Sequence, residues 1–352
     1  MNDRDPNHFF ASQNTCEGFR CYFDTVFSQD SLKELWIVKG GPGTGKSHLM
    51  RSLARTWQEQ GHRVELFACS SDPSSLDGVL RPDDNVAVID GTPPHAAEAL
   101  YPGCVTNLLN TGAFWDRQAL AAQAPLLRQL TREKARATER AYAFLRALGH
   151  LQEEQTRLAS LDLQEDKLNR AAQRFVAKEL KGLRPGSRQV RLISTWNKFG
   201  LMRLDTLEQL ARRRCLVCDR YRTGYLFLNR LLAAVDATVW VAYAPGKEPR
   251  PEVLYYPQSG LCVVCAEKKE WEDGFGSADR YVNMERFLCP ESLREHRQKL
   301  RFGQKCIQSL EEGAREAFGR AAGLHAQLEE GYTRAMDLTA LAQWENGLCQ
   351  RI

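Results

Sequence analysis

Residues 40 to 47 read Gly-Gly-Pro-Gly-Thr-Gly-Lys-Ser, a full match to the pattern G-x-x-x-x-G-K-[ST]. The chemistry served by this spacing is the holding of a triphosphate. Glycines let a backbone curl until its N–H groups point inward at phosphate oxygens. A lysine at the end of such a loop bridges the β- and γ-phosphates, and the hydroxyl that follows binds Mg²⁺. Gly40, Gly41, Pro42, Gly43, Thr44, Gly45, Lys46, Ser47 and His48 are therefore candidate nucleotide-binding residues. Lys46 is the one that would also stabilise a phosphate in transfer. The alternative, a glycine-rich turn that fits by accident, must be judged from the flanking elements.

A loop of this kind needs a buried strand before it and a helix after it. Leu35-Trp36-Ile37-Val38 is a short apolar run that ends at the loop. Residues 46–60 then carry Leu49, Leu53 and Trp57 at helical spacing. A second strand is predicted over residues 63–69, followed by a polar, turn-rich loop over residues 70–78. Val86-Ala87-Val88-Ile89-Asp90 reads as a third strand, four apolar residues closed by an acid, which matches the Walker B motif. Ligands sit at the carboxyl ends of such strands, so Asp90 and Ser47 are the predicted Mg²⁺ ligands.

The catalytic base is less legible. Gly91 stands where many ATPases carry a glutamate beside the Walker B aspartate. Asp72, after the second strand, is the candidate to orient a nucleophile or take its proton, alongside Lys46 and Asp90 as catalytic residues. Asp77 and His95 are further candidates, the histidine as a γ-phosphate sensor. Aspartates in Ser-Pro-rich loops also cap turns, which is the plainer role open to them.

The chain then repeats its pattern. Residues 192–201 resemble residues 10–19, each with a Gly after a Ser-containing strand. Cys215-Leu216-Val217-Cys218 stands where the loop-bearing strand should be. Aligning Gly224 with Gly45 puts Tyr225 under Lys46 and Leu226 under Ser47, and Cys265 falls in the place of Asp90. The second copy keeps the strands and loses the triphosphate chemistry. Arg220 and Arg222 beside it are candidates to face a nucleotide in the first copy. Cys215/Cys218 and Cys262/Cys265 do not read as zinc pairs. Their intervening residues belong to strands, where positions i and i+3 point to opposite faces. Free thiols are the expectation, with Cys218 and Cys265 at the carboxyl ends of neighbouring strands.

Long amphipathic stretches follow each copy. Leu126, Leu130, Ala137, Ala141, Leu145, Leu148 and Leu151 recur after the first; Leu300, Ile307, Leu310, Ala317, Ala321, Leu324 and Leu328 recur after the second. They predict antiparallel helical hairpins packed on the cores or on each other, and they offer a surface for a protein partner. Arg184-Pro185-Gly186-Ser187 breaks the pattern. The predicted fold is thus α/β: two tandem P-loop NTPase-like parallel-sheet cores, each followed by a long helical hairpin. The first domain spans residues 1–186 and the second, degenerate copy spans residues 187–352.

Composition agrees with two cores, since 352 residues exceed one core of average size. The 48 basic and 44 acidic side chains leave a net charge of +4, which does not argue for a nucleic-acid partner, and none is expected. Residues 1–7 are polar and carry no signal peptide, no apolar run reaches membrane-spanning length, and 11 cysteines without a secretion signal point to the cytoplasm.

With these residues in hand, the chain resembles a bacterial family of tandem P-loop ATPase-like proteins of unassigned function. The likeness rests on residues 9–19, 40–47, 69–78, 89–95 and 109–116, and it extends more weakly over the second half. The family's second half often retains a phosphate loop, from which Tyr225 and Leu226 depart. The resemblance implies ATP binding and no particular substrate. The reading is an ATP-binding protein with Mg²⁺-dependent hydrolysis in its first half. A small-molecule or nucleotide kinase and a nucleotide-gated interaction protein with negligible turnover are the alternatives. The absence of an N-K-x-D motif favours ATP over GTP.

Overall fold

The computed structural model describes residues 8–352. The polar residues 1–7, on which the signal-peptide reading rests, lie outside them. The first half begins with β1 (His8–Phe10), the hairpin β2 (Ser12–Thr15) and β3 (Gly18–Cys21), and the short helix α1 (Phe23–Val26). It continues with β4 (Glu34–Lys39), α2 (Lys46–Glu59), β5 (Glu65–Ala68), β6 (Leu76–Arg81), β7 (Val86–Asp90), β8 (Thr106–Asn110) and α3 (Arg117–Ala159). After α4 (Glu165–Glu179) the series runs again: β9 (Arg188–Val190), the hairpin β10 (Ser194–Asn197) and β11 (Gly200–Arg203), α5 (Thr206–Leu210), β12 (Arg213–Cys218) and α6 (Gly224–Ala234). Then come β13 (Val239–Tyr243), β14 (Pro251–Tyr256), β15 (Leu261–Ala266), α7 (Lys268–Phe275), β16 (Arg280–Asn283), α8 (Pro290–Glu295), α9 (Arg297–Thr333) and α10 (Leu338–Cys349).

These strands form two six-stranded, mostly parallel sheets with the same order. The first runs β1-β5-β6-β7-β4-β8 and the second, from the matching edge, β9-β13-β14-β15-β12-β16. In each sheet one strand, β6 or β14, lies antiparallel to both neighbours. Central strands such as β4 and β7 are apolar on both faces because both faces are covered.

Strand β6 corrects the predicted 70–78 loop. Leu76-Asp77-Gly78 looks like a turn in sequence, yet it opens a fully buried strand. Asp77 is paired with His95, and a Cβ on Gly78 would lie 2.7 Å from the Phe27 ring. The two residue types that imitate a turn are there for burial of a charge and for close approach. The remaining 70–75 segment is the loop.

The long helices pair across the halves. Helix α3 has 43 residues and α9 has 37, roughly 65 and 55 Å at 1.5 Å per residue. They run antiparallel, with Leu127 beside Leu328 near one end, Lys134 Nζ 3.0 Å from His325 Nδ1, and Gln155 Nε2 donating to the Leu300 carbonyl at 2.8 Å. The seam takes Leu127, Leu130, Ala137, Ala141, Leu145 and Leu148 from α3, so Leu127, and not the predicted Leu126, faces inward; Leu126 is 53% exposed. Pairing of α3 with α9 replaces a hairpin within each half, because each apolar stripe finds its complement on the other helix.

The pairing delivers the shorter helices to the opposite sheets. Leu168, Ala172 and Phe175 of α4 pack with Phe227, Leu228 and Leu231 of α6, while Leu348 of α10 joins Leu49, Leu53 and Trp57 of α2. The hairpins interlock as well. Asn14 Nδ2 donates to the Trp196 carbonyl at 2.8 Å, and the Asn14 amide donates to Thr195 Oγ1 at 3.0 Å. One hydrophobic cluster runs through both halves, from Phe9, Phe10 and Phe67 to Leu192, Leu216 and Ala242. Within this junction Arg191 Nε lies 2.8 Å from Glu65 Oε2, both side chains 8% exposed, with the guanidinium ringed by Phe9, Phe67 and Trp240.

A buried pair broken on one side leaves an uncompensated charge. Arg191→Leu should therefore lower unfolding free energy by about 3–5 kcal/mol in urea titration. Adding Glu65→Leu should recover most of that loss.

Candidate functional site

The site grows from the end of β4. That strand pairs in parallel with β7 on one side and β8 on the other. Its carboxyl end and that of β7 therefore open at the same edge. The chain leaves β4 at Lys39, turns through residues 40–45 and enters α2 at Lys46. Gly43 and Gly45 have φ of 66° and 81°, the left-handed region that glycine occupies without strain. Helix α2 starts with its first amides unpaired, as every helix does, and its dipole adds to the attraction for an anion.

Lys46 folds back over the loop. Its Nζ donates to the carbonyls of Gly41 at 2.7 Å and Gly40 at 3.2 Å, and lies 3.6 Å from Asp90 Oδ2. Asp90 Oδ1 accepts from the Thr92 amide at 2.8 Å and the Thr92 hydroxyl at 2.6 Å. Burial pushes the Asp90 carboxyl up; the Lys46 ammonium and the Thr92 hydrogen bonds act against that push. Ser47 Oγ accepts from the Leu76 amide at 2.9 Å. The Thr44 hydroxyl donates to the Gly41 carbonyl at 2.9 Å and accepts from Thr111 Oγ1 at 2.9 Å. The structure thus brings residues 40–47 and Asp90 together.

His48 stands apart from the rest of that set. Its Nδ1 meets Glu345 Oε2 of α10 at 2.9 Å. Asp72 lies on the loop after β5, where its Oδ1 accepts from the Ser74 hydroxyl at 2.7 Å and its Oδ2 sits 3.2 Å from Lys198 Nζ. Burial works against the Asp72 charge, but Ser74 and the Lys198 ammonium outweigh it and hold the carboxyl below its ordinary range. Asp77 and His95 are drawn into a separate buried pair. His95 Nε2 lies 3.0 Å from Asp77 Oδ2, and the ring stacks on Phe23 at 4.5 Å. Arg220 and Arg222 line a cavity of about 800 Å³ over the second sheet, and none of residues 40–48 lines it.

Sequence reasoning missed the residues that cover the loop. The Thr333 hydroxyl donates to the Gly43 carbonyl at 3.1 Å. A Cβ on Gly43 would lie 2.6 Å from the Glu329 carbonyl of α9, and one on Gly41 would lie 3.0 Å from the Trp115 ring. The turn between α9 and α10 is fixed by Asp337 N to Phe114 O at 2.9 Å and Asp116 N to Ala335 O at 2.7 Å. Lys198 was missed too. No local pattern at Glu329, Thr333 or Glu345 signals a site, since their role comes from where α9 ends. Residues 109–116 did carry a signal, as a segment of the resemblance, without a chemistry attached.

The second sheet's loop has a different solution. Asp219 follows β12, and its carboxylate accepts from the amides of Thr223 at 2.8 Å and Gly224 at 2.7 Å, at the start of α6. Tyr225, in the place of Lys46, lies 4.4 Å under the Arg250 guanidinium. Strands β12 and β15 are parallel neighbours, so Cys218 and Cys265 do sit at adjacent carboxyl ends, and neither is in a disulfide.

A family model of the AAA domain matches residues 28–75, which span β4, the glycine-rich loop, α2, β5 and the Asp72 loop. The match supports a P-loop ATPase-type, nucleotide-binding segment at that place and stops before Asp90. No curated protein and no solved structure matches the chain. No helix among the described residues is long and apolar enough to cross a membrane.

The His95 pair makes a pH test. Burial disfavours the imidazolium, but the Asp77 carboxylate, with Cys21 beside it, overrides that and raises the group from its ordinary 6.5 to about 10. A raised histidine stabilises fully below the unfolded value and loses that contribution as pH rises through the folded one. The melting-temperature advantage of wild type over Asp77→Asn should be constant below about pH 6.5 and decline on the way to pH 10. A flat difference across that range would refute the ion pair.

Proposed function

We propose that the first half binds ATP with Mg²⁺ and hydrolyses it, and that the second half keeps the sheet without the phosphate site. The observation that carries this reading is the meeting of Lys46, Ser47 and Asp90 at the carboxyl ends of adjacent parallel strands. Loop amides at the start of α2 would take β-phosphate oxygens. Lys46 would exchange the Gly40 and Gly41 carbonyls for phosphate oxygens. Ser47 and Asp90 would hold Mg²⁺: a hydroxyl and a carboxylate are the hard oxygen donors this ion takes. Asp90's burial disfavours its charge unless a cation is near, which suits a metal ligand. The ion, when bound, neutralises charge on the phosphate oxygens.

Hydrolysis needs a water placed in line with the β–γ bond. Asp72, kept ionised by Ser74 and Lys198, is the group we assign to orient it. Water oxygen bonds to the γ-phosphorus, the bridging bond breaks, ADP keeps the bridging oxygen, and the proton leaves with inorganic phosphate. In the second half, the amides that would receive a phosphate already receive the Asp219 carboxylate, so that loop is filled from within. The two equal sheet orders fit a tandem family with one spent copy and a domain border near residue 187.

A second reading is a nucleotide-gated switch with slow turnover. It is favoured by the contacts of Thr333 and Glu345 with the loop and its helix, through which phosphate binding would move α9 and α10. A protein partner on the long helices belongs to that reading.

Phosphate release with ATP and Mg²⁺ tests the proposal. Lys46→Ala should lower turnover by about 10²–10³-fold. Ser47→Ala should raise the Mg²⁺ concentration needed for half-maximal rate, and GTP should be the poorer substrate. Tight, Lys46-dependent ATP binding with no turnover would remove hydrolysis and leave the switch.

A further inference from the structure

The hairpins of the two halves are exchanged, and their tips differ at the residue two before the turn glycine. The β2–β3 tip reaches the second half: Cys16 Sγ lies 3.8 Å from the Pro245 carbonyl, and Arg20 donates to the Lys247 carbonyl at 2.8 Å. The β10–β11 tip reaches the first half, where Lys198 Nζ meets Asp72 Oδ2 at 3.2 Å. The turns correspond through Gly18 and Gly200, which close the pairs Thr15–Gly18 and Asn197–Gly200 with φ values of 105° and 93°. Counting back two residues from each glycine puts Cys16 and Lys198 at the same position. The tip over the sheet with a self-filled loop carries a buried, neutral thiol, pushed up to about 11 by burial. The tip over the sheet with an intact phosphate loop carries a cation.

Lys198 is placed by rigid elements. Strand β10 is held to β2 by the Asn14 contacts on Thr195 and Trp196, and the Phe199 amide donates to Asn197 Oδ1 at 2.9 Å. The Asp72 loop that Lys198 meets is tied to the phosphate loop's helix through Leu76 N and Ser47 Oγ at 2.9 Å. Glu329, whose own carbonyl lies against Gly43, feels both Lys46 and Lys198. The lysine is 30% exposed, so its ammonium is free to shift from one anion to another.

We propose that Lys198 is a cationic finger supplied by the second half to the γ-phosphate of a triphosphate bound in the first, held by Asp72 until that phosphate arrives. This rests on the first-half ATP site proposed above. A γ-phosphate takes the ammonium, and the same movement frees an oxygen of Asp72 to receive the attacking water. The discrimination is then for the third phosphate: ADP leaves the Lys198–Asp72 pair intact, and ATP breaks it. A cation reaching a transferring phosphate from another structural unit is worth more in the transition state than in the bound ground state.

Binding of ADP and of a non-hydrolysable ATP analogue, together with phosphate release, tests this on full-length wild type, Lys198→Ala, Lys198→Arg and Lys46→Ala. Lys198→Ala should bind ADP within twofold of wild type, lose at least tenfold of its preference for the ATP analogue, and lose about 100-fold in kcat. Lys198→Arg should restore part of both. Lys46→Ala should weaken both nucleotides. A Lys198→Ala protein with wild-type analogue preference and wild-type kcat overturns the finger. Loss of melting temperature with no change in preference would make Lys198 merely structural, and equally overturns it. Without turnover in wild type, the analogue preference alone decides Lys198. If wild type binds neither nucleotide, the first-half site falls and Lys198 with it.

Discussion

The glycine-rich loop at residues 40–47 is pressed from outside by a helix that begins about 50 Å away along its own axis, by the measure of 1.5 Å per helical residue. Glu329 and Thr333 close α9 against Gly43, and α10 then lies along α2 with Glu345 on His48 and Leu348 in the apolar cluster of Trp57. Everything else in the molecule is arranged so that α9 can end there. It needs α3 as an antiparallel partner over nearly its whole length. It needs the second sheet as an anchor at its start, and it needs the interlocked hairpins to fix the distance between the sheets. A loop that must admit a phosphate is thereby given neighbours with no slack: a side chain at Gly43 has no room, whatever its rotamer.

That constraint explains what the sequence could and could not disclose. The loop, the strand before it and the helix after it were legible because their chemistry is local. So was Asp90, because a fully buried strand of Val, Ala, Val and Ile ending in an acid has few other meanings behind such a loop. Strand β6 was not, since Asp77 and Gly78 resemble turn residues until His95 and Phe27 are placed opposite them. The helical faces were read correctly in period and one residue off at Leu126, because the amphipathic stripe is fixed by a partner 200 residues away. The crossing of α4 and α10 to the opposite sheets has no local signature at all. Lys198 is the same case: an Asn-Lys-Phe-Gly turn reads as a solvated tip, and only the exchange of hairpins brings it to Asp72.

The two halves offer a controlled comparison within one chain. Both have the same strand order and a helix that begins beside the loop. In one, a lysine is turned inward over two carbonyls and a half-buried aspartate. In the other, Asp219 occupies the amides directly and Arg250 lies on Tyr225. At the start of α6 the chain supplies its own carboxylate, while among the described residues no carboxylate of the chain is bonded to the first amides of α2. The built-in carboxylate fixes the start of α6 to the end of β12.

The segment over residues 181–187, between α4 and β9, is exposed along almost its whole length. A protease would find it readily, and cutting it would separate the halves in covalent terms only. The first fragment would still end in a helix seated on the second sheet, and the second would still end in a helix seated on the phosphate loop's own helix. Neither could depart without stripping an apolar face from both. The nicked protein would behave as a tightly clasped heterodimer, and each fragment made alone would be an incomplete fold waiting for the other.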